Sequence, residues 1–278
     1  MQHRLTHVLI AFVALLVSAC DVEFDAGSPP PPITAGSTVH GLIEWDPSQA
    51  TTQNILFVPD TSYGDLAVQA NLQAFFDDVE EVIEEGYWQN NAYYRNLGRF
   101  NYYYITVAGT AAAPTTGICP NVTWPGEVDT DGAFADLVLL LHTNSLRDCR
   151  WGRKATSEPT SYRTVVHEST HALFNIPDEY CCDGGYYVAE PVLYSSSGNC
   201  NGDAANAAWR NCSSFTANSG TTWWRSEDNI SDIMVSAGSV VVEAGEADWA
   251  IMNDVLLALG GSTSTPTVFA PASWDHTP

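Results

Sequence analysis

Lysine is almost absent from this chain. Lys154 is the only one, and 10 Lys and Arg residues face 33 Asp and Glu, for a formal net charge of −23 at pH 7. That imbalance excludes a nucleic-acid partner, because a phosphate backbone demands a basic footprint. Acidity of this kind suits solubility in a salty exterior, with attraction of basic substrates as the second reading. A long hydrophobic run is missing too. The unbroken apolar stretch Val8–Val17 has ten residues, about half of the ~20 that a membrane-spanning helix needs. No Cys-x-x-Cys pair occurs among the seven cysteines, which argues against a zinc site built of thiolates. Internal repeats are lacking as well.

What is present at the start of the chain reads as an address. Arg4 lies in a short polar segment, the apolar run follows, and Leu16-Val17-Ser18-Ala19-Cys20 resembles the bacterial lipobox. The resemblance implies a signal peptide over residues 1–19 and lipidation of Cys20. The protein would then be an exported bacterial lipoprotein of the cell envelope, touching a membrane only through that anchor. Residues 20–38, with Pro29-Pro30-Pro31-Pro32, read as an extended spacer. Residues 39–262 are long enough for one domain with a substantial core, expected to be monomeric. The Ser-, Thr- and Pro-rich tail, 263–278, is expected to be loosely held. With Cys20 assigned to the anchor, Cys119, Cys149, Cys181, Cys182, Cys200 and Cys212 remain. An even number in an exported chain predicts three disulfides, in one of the fifteen pairings that six cysteines allow.

Hydrophobic periodicity gives a coarse alternation of strand and helix. Asn54–Asp60 reads as a buried strand entering a turn, and Asn71–Gly86 as a helix with Leu72, Phe75, Phe76, Val79, Val82 and Ile83 on one face. Phe100–Val107 and Ala135–His142 read as further strands. A loop containing Cys149-Arg-Trp-Gly-Arg153 leads to a second helix around residue 167. Residues 181–232, rich in Gly, Ser and Asn, read as loop held by bridges and forming the lower wall of a cleft. Glu246–Leu259 reads as a final helix. The expected fold class is α/β: a mixed, twisted sheet, a metal-binding helix packed on it, and a disulfide-rich C-terminal subdomain.

The chemistry concentrates in His167-Glu168-Ser169-Thr170-His171 and Asp178-Glu179-Tyr180. Histidines four apart share one helix face, so both imidazoles can reach one metal ion, and Glu168 beside them can act as base on an activated water. Apolar Val165, Val166, Leu173 and Phe174 surround these polar residues, as in a helix that buries its charges for a purpose. Ile176-Pro177 ends the helix, since proline and the residue before it both disfavour helical backbone. The chain can then return a carboxylate to the metal. Asp178 is the preferred third ligand, with Glu179 as the alternative or in a supporting role.

This constellation resembles the bacterial family of zinc metallopeptidases named after an immunoglobulin A-cleaving member. The block His167–Tyr180 carries the likeness most specifically. Phe57-Val-Pro-Asp-Thr-Ser-Tyr63, Tyr94–Val107 and Ala135–Asn144 add weaker matches, so that it spans about residues 54–260. The resemblance implies a metzincin-like domain with one catalytic Zn2+, held by His167, His171 and Asp178 or Glu179, and endopeptidase activity with Glu168 as base. It also offers Met234 as a methionine turn beneath the metal. Three departures stand out: Thr170 where many members have glycine, Pro177 where metzincins proper carry the third ligand, and the adjacent Cys181 and Cys182.

The expectation is therefore a zinc-dependent endopeptidase acting on protein or peptide substrates through a metal-activated water. His142, Tyr180 and Arg150 are candidates for stabilising the oxyanion. A non-catalytic binding or adhesion lipoprotein on the same fold is the rival, and so is a fold in which zinc is only a staple. The intact Glu168 argues against the first. The absence of a fourth protein ligand argues against the second.

Overall fold

The computed structural model describes residues 39–46, 48–180, 186–203, 211–227, 232–235, 243–260 and 267–268. The expected signal peptide, Cys20, the spacer, Cys181 and Cys182 lie outside the described residues.

Two layers are built around one mixed sheet. In chain order, β1 (Val39–Glu44) and β2 (Gln53–Pro59) precede α1 (Gln69–Glu81) and the short α2 (Asn91–Tyr94). Next come β3 (Phe100–Ile105), the pair β4 (Thr110–Ala112) and β5 (Asn121–Thr123), and β6 (Leu137–Leu141). The hairpin β7 (Cys149–Trp151) and β8 (Lys154–Ser157) leads into α3 (Tyr162–Phe174). The C-terminal part holds β9 (Leu193–Tyr194), α4 (Ser197–Gly202), β10 (Asn211–Thr216), β11 (Thr222–Glu227), α5 (Glu246–Ala258) and β12 (Thr267–Val268).

The main sheet runs β12-β1-β3-β2-β6-β8-β7. Its centre, β3-β2-β6-β8, is parallel, while β1, β7 and β12 join antiparallel. Parallel strands need cover on both faces, and their sequences show it as continuous apolar runs. Ile55, Phe57, Tyr102, Tyr104, Leu137, Leu139 and Leu141 point to the helical side, where α1, α3 and α5 supply Phe75, Phe76, Val165, Val166, Met252 and Leu256. Leu56, Val58, Tyr103, Ile105, Val138 and Leu140 point the other way, under Val128, Ala111 and Ala135. The strict alternation along β2 and β6 divides one sheet between two cores.

α1 passes into a wide turn at Val82–Gly86. A Cβ at Gly86 would stand 3.2 Å from both the Tyr162 carbonyl oxygen and a Val166 methyl, so the missing side chain lets this turn lie against α3. The segment expected as a loop at Cys149–Arg153 is instead the β7–β8 hairpin. Trp151 pairs with Lys154, leaving a two-residue connection in which Gly152 takes a φ of 61°, the backbone such tight hairpins require.

Residues 181–232 are likewise less irregular than expected. They contain α4 and a three-stranded sheet, β10-β11-β9, and Val192, Leu193 and Tyr194 are fully buried. Core packing therefore shares the work with a bridge. Cys200–Cys212 closes that bridge, and Cys119–Cys149 ties the loop before β5 to β7. Two residues of the expected tail, Thr267 and Val268, pair with Glu44 and Ile43. No described helix is long and apolar enough to cross a membrane.

Candidate metal centre

α3 places His167 and His171 on one buried face, 2% and 8% exposed. Its C-terminus is set by Asn175, whose left-handed backbone (φ 53°) lets its N–H reach the His171 carbonyl. Tyr187 donates its hydroxyl hydrogen to the Asn175 carbonyl at 2.6 Å. Ile176 and Pro177 then turn the chain back, and Asp178 returns to the histidines one residue later than the metzincin pattern has it. Thr170, where a glycine is common in the resembled family, fits by donating to the Val166 carbonyl at 2.8 Å.

The three side chains converge. Asp178 Oδ1 lies 3.1 Å from Nε2 of each histidine, and the two Nε2 atoms are 3.1 Å apart. His167 Nδ1 donates to the Ile233 carbonyl at 2.9 Å and His171 Nδ1 to the Ile176 carbonyl at 2.5 Å. A carbonyl can only accept, so both Nδ1 atoms carry hydrogen and both Nε2 lone pairs face one another and the carboxylate. Such a meeting of acceptors calls for a cation between them. Zinc–nitrogen bonds of about 2.0–2.1 Å in a tetrahedral site put ligand atoms about 3.3 Å apart, close to the triangle observed. The residues thus fit zinc, with backbone carbonyls orienting both rings.

Without metal, a proton takes that place. Burial pushes the His167 pKa down, but the Asp178 hydrogen bond, the charges of Glu168 and Asp178 and the Ile233 carbonyl together hold it above its ordinary 6.5. Burial alone would raise Asp178, yet its bonds and charge contacts with both histidines hold it well below the usual carboxylate range.

Glu179 goes elsewhere. Its carboxylate, 1% exposed, gathers with those of Asp232 and Asp248, and oxygens of the three lie within 4.8 Å of one another. Of the two acidic candidates for third ligand, Asp178 alone reaches the histidines. Met234 is fully buried in the turn that follows Asp232, and its carbonyl accepts the Glu179 N–H at 3.1 Å. The same turn supplies the Ile233 carbonyl that holds His167.

The open face of the triangle looks onto a cavity of about 190 Å³, which Glu168 lines together with Tyr180, Tyr187 and the segment Arg147–Arg150. Tyr180 and Arg150, two of the three oxyanion candidates, are in this wall. His142 is not: it is buried at the end of β6, with Nδ1 on the Asn144 carbonyl at 2.9 Å.

Asp148 was not foreseen. Burial lifts its carboxyl to about 7; the Glu158 N–H and the Ser157 hydroxyl pull it down, while the charges of Glu158 and Glu168 add to the rise. Only its position beside Cys149 and between two arginines hinted at a wall residue. No protein-family model matches this chain, and no curated protein matches it.

Proposed function

We propose that this protein is a zinc-dependent metalloendopeptidase with a metzincin-like catalytic domain. One observation carries the reading: two imidazoles, tautomer-locked by backbone carbonyls, converge with Asp178 in a triangle of 3.1 Å beside Glu168 and an open cavity. His167, His171 and Asp178 would hold the ion. Zinc bound there supplies a Lewis acid that polarises a peptide carbonyl and acidifies water.

The remaining work falls to the chain. Glu168, half-buried at the cavity, takes a proton from the attacking water and delivers it to the leaving amine. Tyr180 and Arg150 provide donors on the wall where negative charge develops. Among the described residues β7 ends the main sheet beyond β8, and as an edge strand it would offer an extended peptide a partner to lie against. The Cys119–Cys149 bridge anchors that strand at the cavity. Export and lipid anchoring at Cys20 complete the proposal, supported by residues 4–20 of the sequence and by the disulfides, which suit an oxidising compartment.

The test combines metal analysis with hydrolysis of an unbiased peptide library by the protein and its Glu168→Ala variant. One zinc per chain, with cleavage that Glu168→Ala abolishes, is the expected result. Zinc without cleavage would favour the binding-protein alternative, and a chain that takes up no zinc would end the proposal.

A further inference from the structure

The back of α3 carries a polar group into an otherwise apolar core. Ser169 is fully buried there, two residues from each histidine. At about 100° per residue along a helix, that spacing sets Ser169 opposite the common direction of His167 and His171. Its hydroxyl donates to the Val165 carbonyl at 2.6 Å. The hydroxyl of Tyr87, also fully buried, lies 2.6 Å from the Ser169 oxygen. Ser169 has one hydrogen and gives it to a carbonyl, which can only accept, so Tyr87 is the donor of this second bond. Burial pushes the Tyr87 phenol well above its ordinary range, against the pull of Ser169, and the donated hydrogen is kept.

Tyr87 is itself held in place. It follows Gly86, where the turn lies against Tyr162 and Val166 of α3. Its ring packs on Tyr93 and on Tyr102 of β3, with centroids 5.0 and 5.6 Å away. A line of contacts therefore runs from the sheet through Tyr87 and Ser169 to the Val165 carbonyl, two residues before His167. Thr170 makes the same kind of bond to Val166, but the Tyr93 hydroxyl stands 3.5 Å from it, too far for a strong hydrogen bond. Stability alone does not call for the Tyr87–Ser169 pair. Phe and Ala would fill nearly the same space, and exchanging both partners of a buried bond for apolar groups of like shape is close to neutral. What the bond adds is direction, since an apolar contact would let the helix slip where a short hydrogen bond holds one geometry.

We propose that Tyr87 is a positioning residue for the metal centre, acting through Ser169 to fix the rotation of α3 about its own axis. A rotation that broke the Tyr87–Ser169 bond would carry both imidazoles round with the helix. They would leave the Ile233 and Ile176 carbonyls and Asp178, none of which belongs to α3 and none of which would turn with it. The carbonyls aim the rings from the front, and the Tyr87–Ser169 bond holds the helix from behind. The inference deepens the metal-site reading under the proposed function and rests on it for what the two imidazoles hold.

The experiment compares the full chain with Tyr87→Phe, Ser169→Ala and the two combined. Tyr102→Phe serves as control, because it removes a buried hydroxyl from the same cluster that makes no bond to α3 among the described residues. Zinc affinity, measured against a chelating dye, is expected to fall about tenfold in Tyr87→Phe, the lower end for groups that orient metal ligands. Ser169→Ala should match it, and the double variant should be no worse than either single, since all three break one link. The visible absorption of bound Co2+ should shift in these three and stay in place in Tyr102→Phe. A link that only stabilised the fold would lower the melting temperature and leave that spectrum unmoved. In the metal-free chain the Nδ1–H NMR signals of His167 and His171 should move with the same variants. Zinc uptake with affinity and spectrum unchanged by Tyr87→Phe, or losses that add in the double variant, would overturn the inference and leave the metal site standing. A chain that takes up no zinc ends the metal reading instead. The ring N–H signals then decide the positioning role by themselves, and signals that ignore Tyr87→Phe overturn it.

Discussion

Residues 39–174 and residues 186–258 reach order by different means. In the first, β2, β3 and β6 are buried along their whole length, and the sheet is covered on both faces by apolar side chains. In the second, the described strands β9, β10 and β11 form a separate three-stranded sheet. A twelve-residue disulfide loop and long-range hydrogen bonds, such as Tyr194 to Asp203 at 2.8 Å and Ser226 to the Pro191 carbonyl, do much of the holding.

The candidate site stands on the seam between them. α3 and the turn after it, in the first region's wake, supply the ligands. The second supplies what aims and anchors them: the Ile233 carbonyl on His167, the Tyr187 hydroxyl on the Asn175 turn, and the Met234 carbonyl and Arg225 on Glu179. A cluster of converging side chains can thus be built from one rigid region and oriented by hydrogen bonds from another.

The largest effect that would test this contrast lies in the sheet. Phe57→Ala removes a fully buried ring from β2 and should cost about 3–5 kcal/mol in a urea titration. A cost below about 1 kcal/mol would mean that burial is not what sustains this region. Opening the second region comes next. Replacing Cys200 and Cys212 together by serine frees a loop with a sequence separation of 12, and about 2–3 kcal/mol should be lost on the chain-entropy account. The zinc affinity should fall with it, because the Ile233 carbonyl belongs to the segment that loosens. If the thermal transition and the affinity both stay put, the segment is held by packing alone.

The smallest effect reads the seam through pH. In the metal-free protein the His167 pKa is raised above 6.5, and under the proposed function zinc would displace that proton. Affinity should therefore weaken by about tenfold for each pH unit below that raised value. The stability of the metal-free form moves the other way. The contribution of His167 is complete below 6.5 and is lost as pH rises through its folded value. The contribution of Asp178, whose carboxyl is lowered, is present above 3.8 and lost as pH falls. The pair therefore stabilises the metal-free chain most between 3.8 and 6.5, while zinc protects it increasingly above that window. Thermal melts with and without zinc across this range check it: parallel curves would show that the pair does not exchange a proton for the metal.

Much of this architecture could be read from the chain. β2, β3, β6, α1 and α5 announce themselves because side-chain periodicity is a local property, and α3 does so because histidines four apart can share a face only on a helix. β1 and the β9–β11 sheet did not, since short strands with mixed faces differ little from loop until partners are known. The same limit hid the β7–β8 hairpin and with it the role of Arg147, Asp148 and Arg150 as one wall.

The sequence by itself determined the helix that carries His167, Glu168 and His171, its end at Pro177, the apolar strands beneath it, and the net charge of −23. Only the tertiary structure decided that Asp178 and not Glu179 meets the histidines, and that His142 stays away from them. It also decided that Ile233, 66 residues from His167, sets its tautomer. The first set rests on backbone geometry within a few residues. The second depends on a chain reversal and on hydrogen bonds between distant segments, which no local pattern encodes.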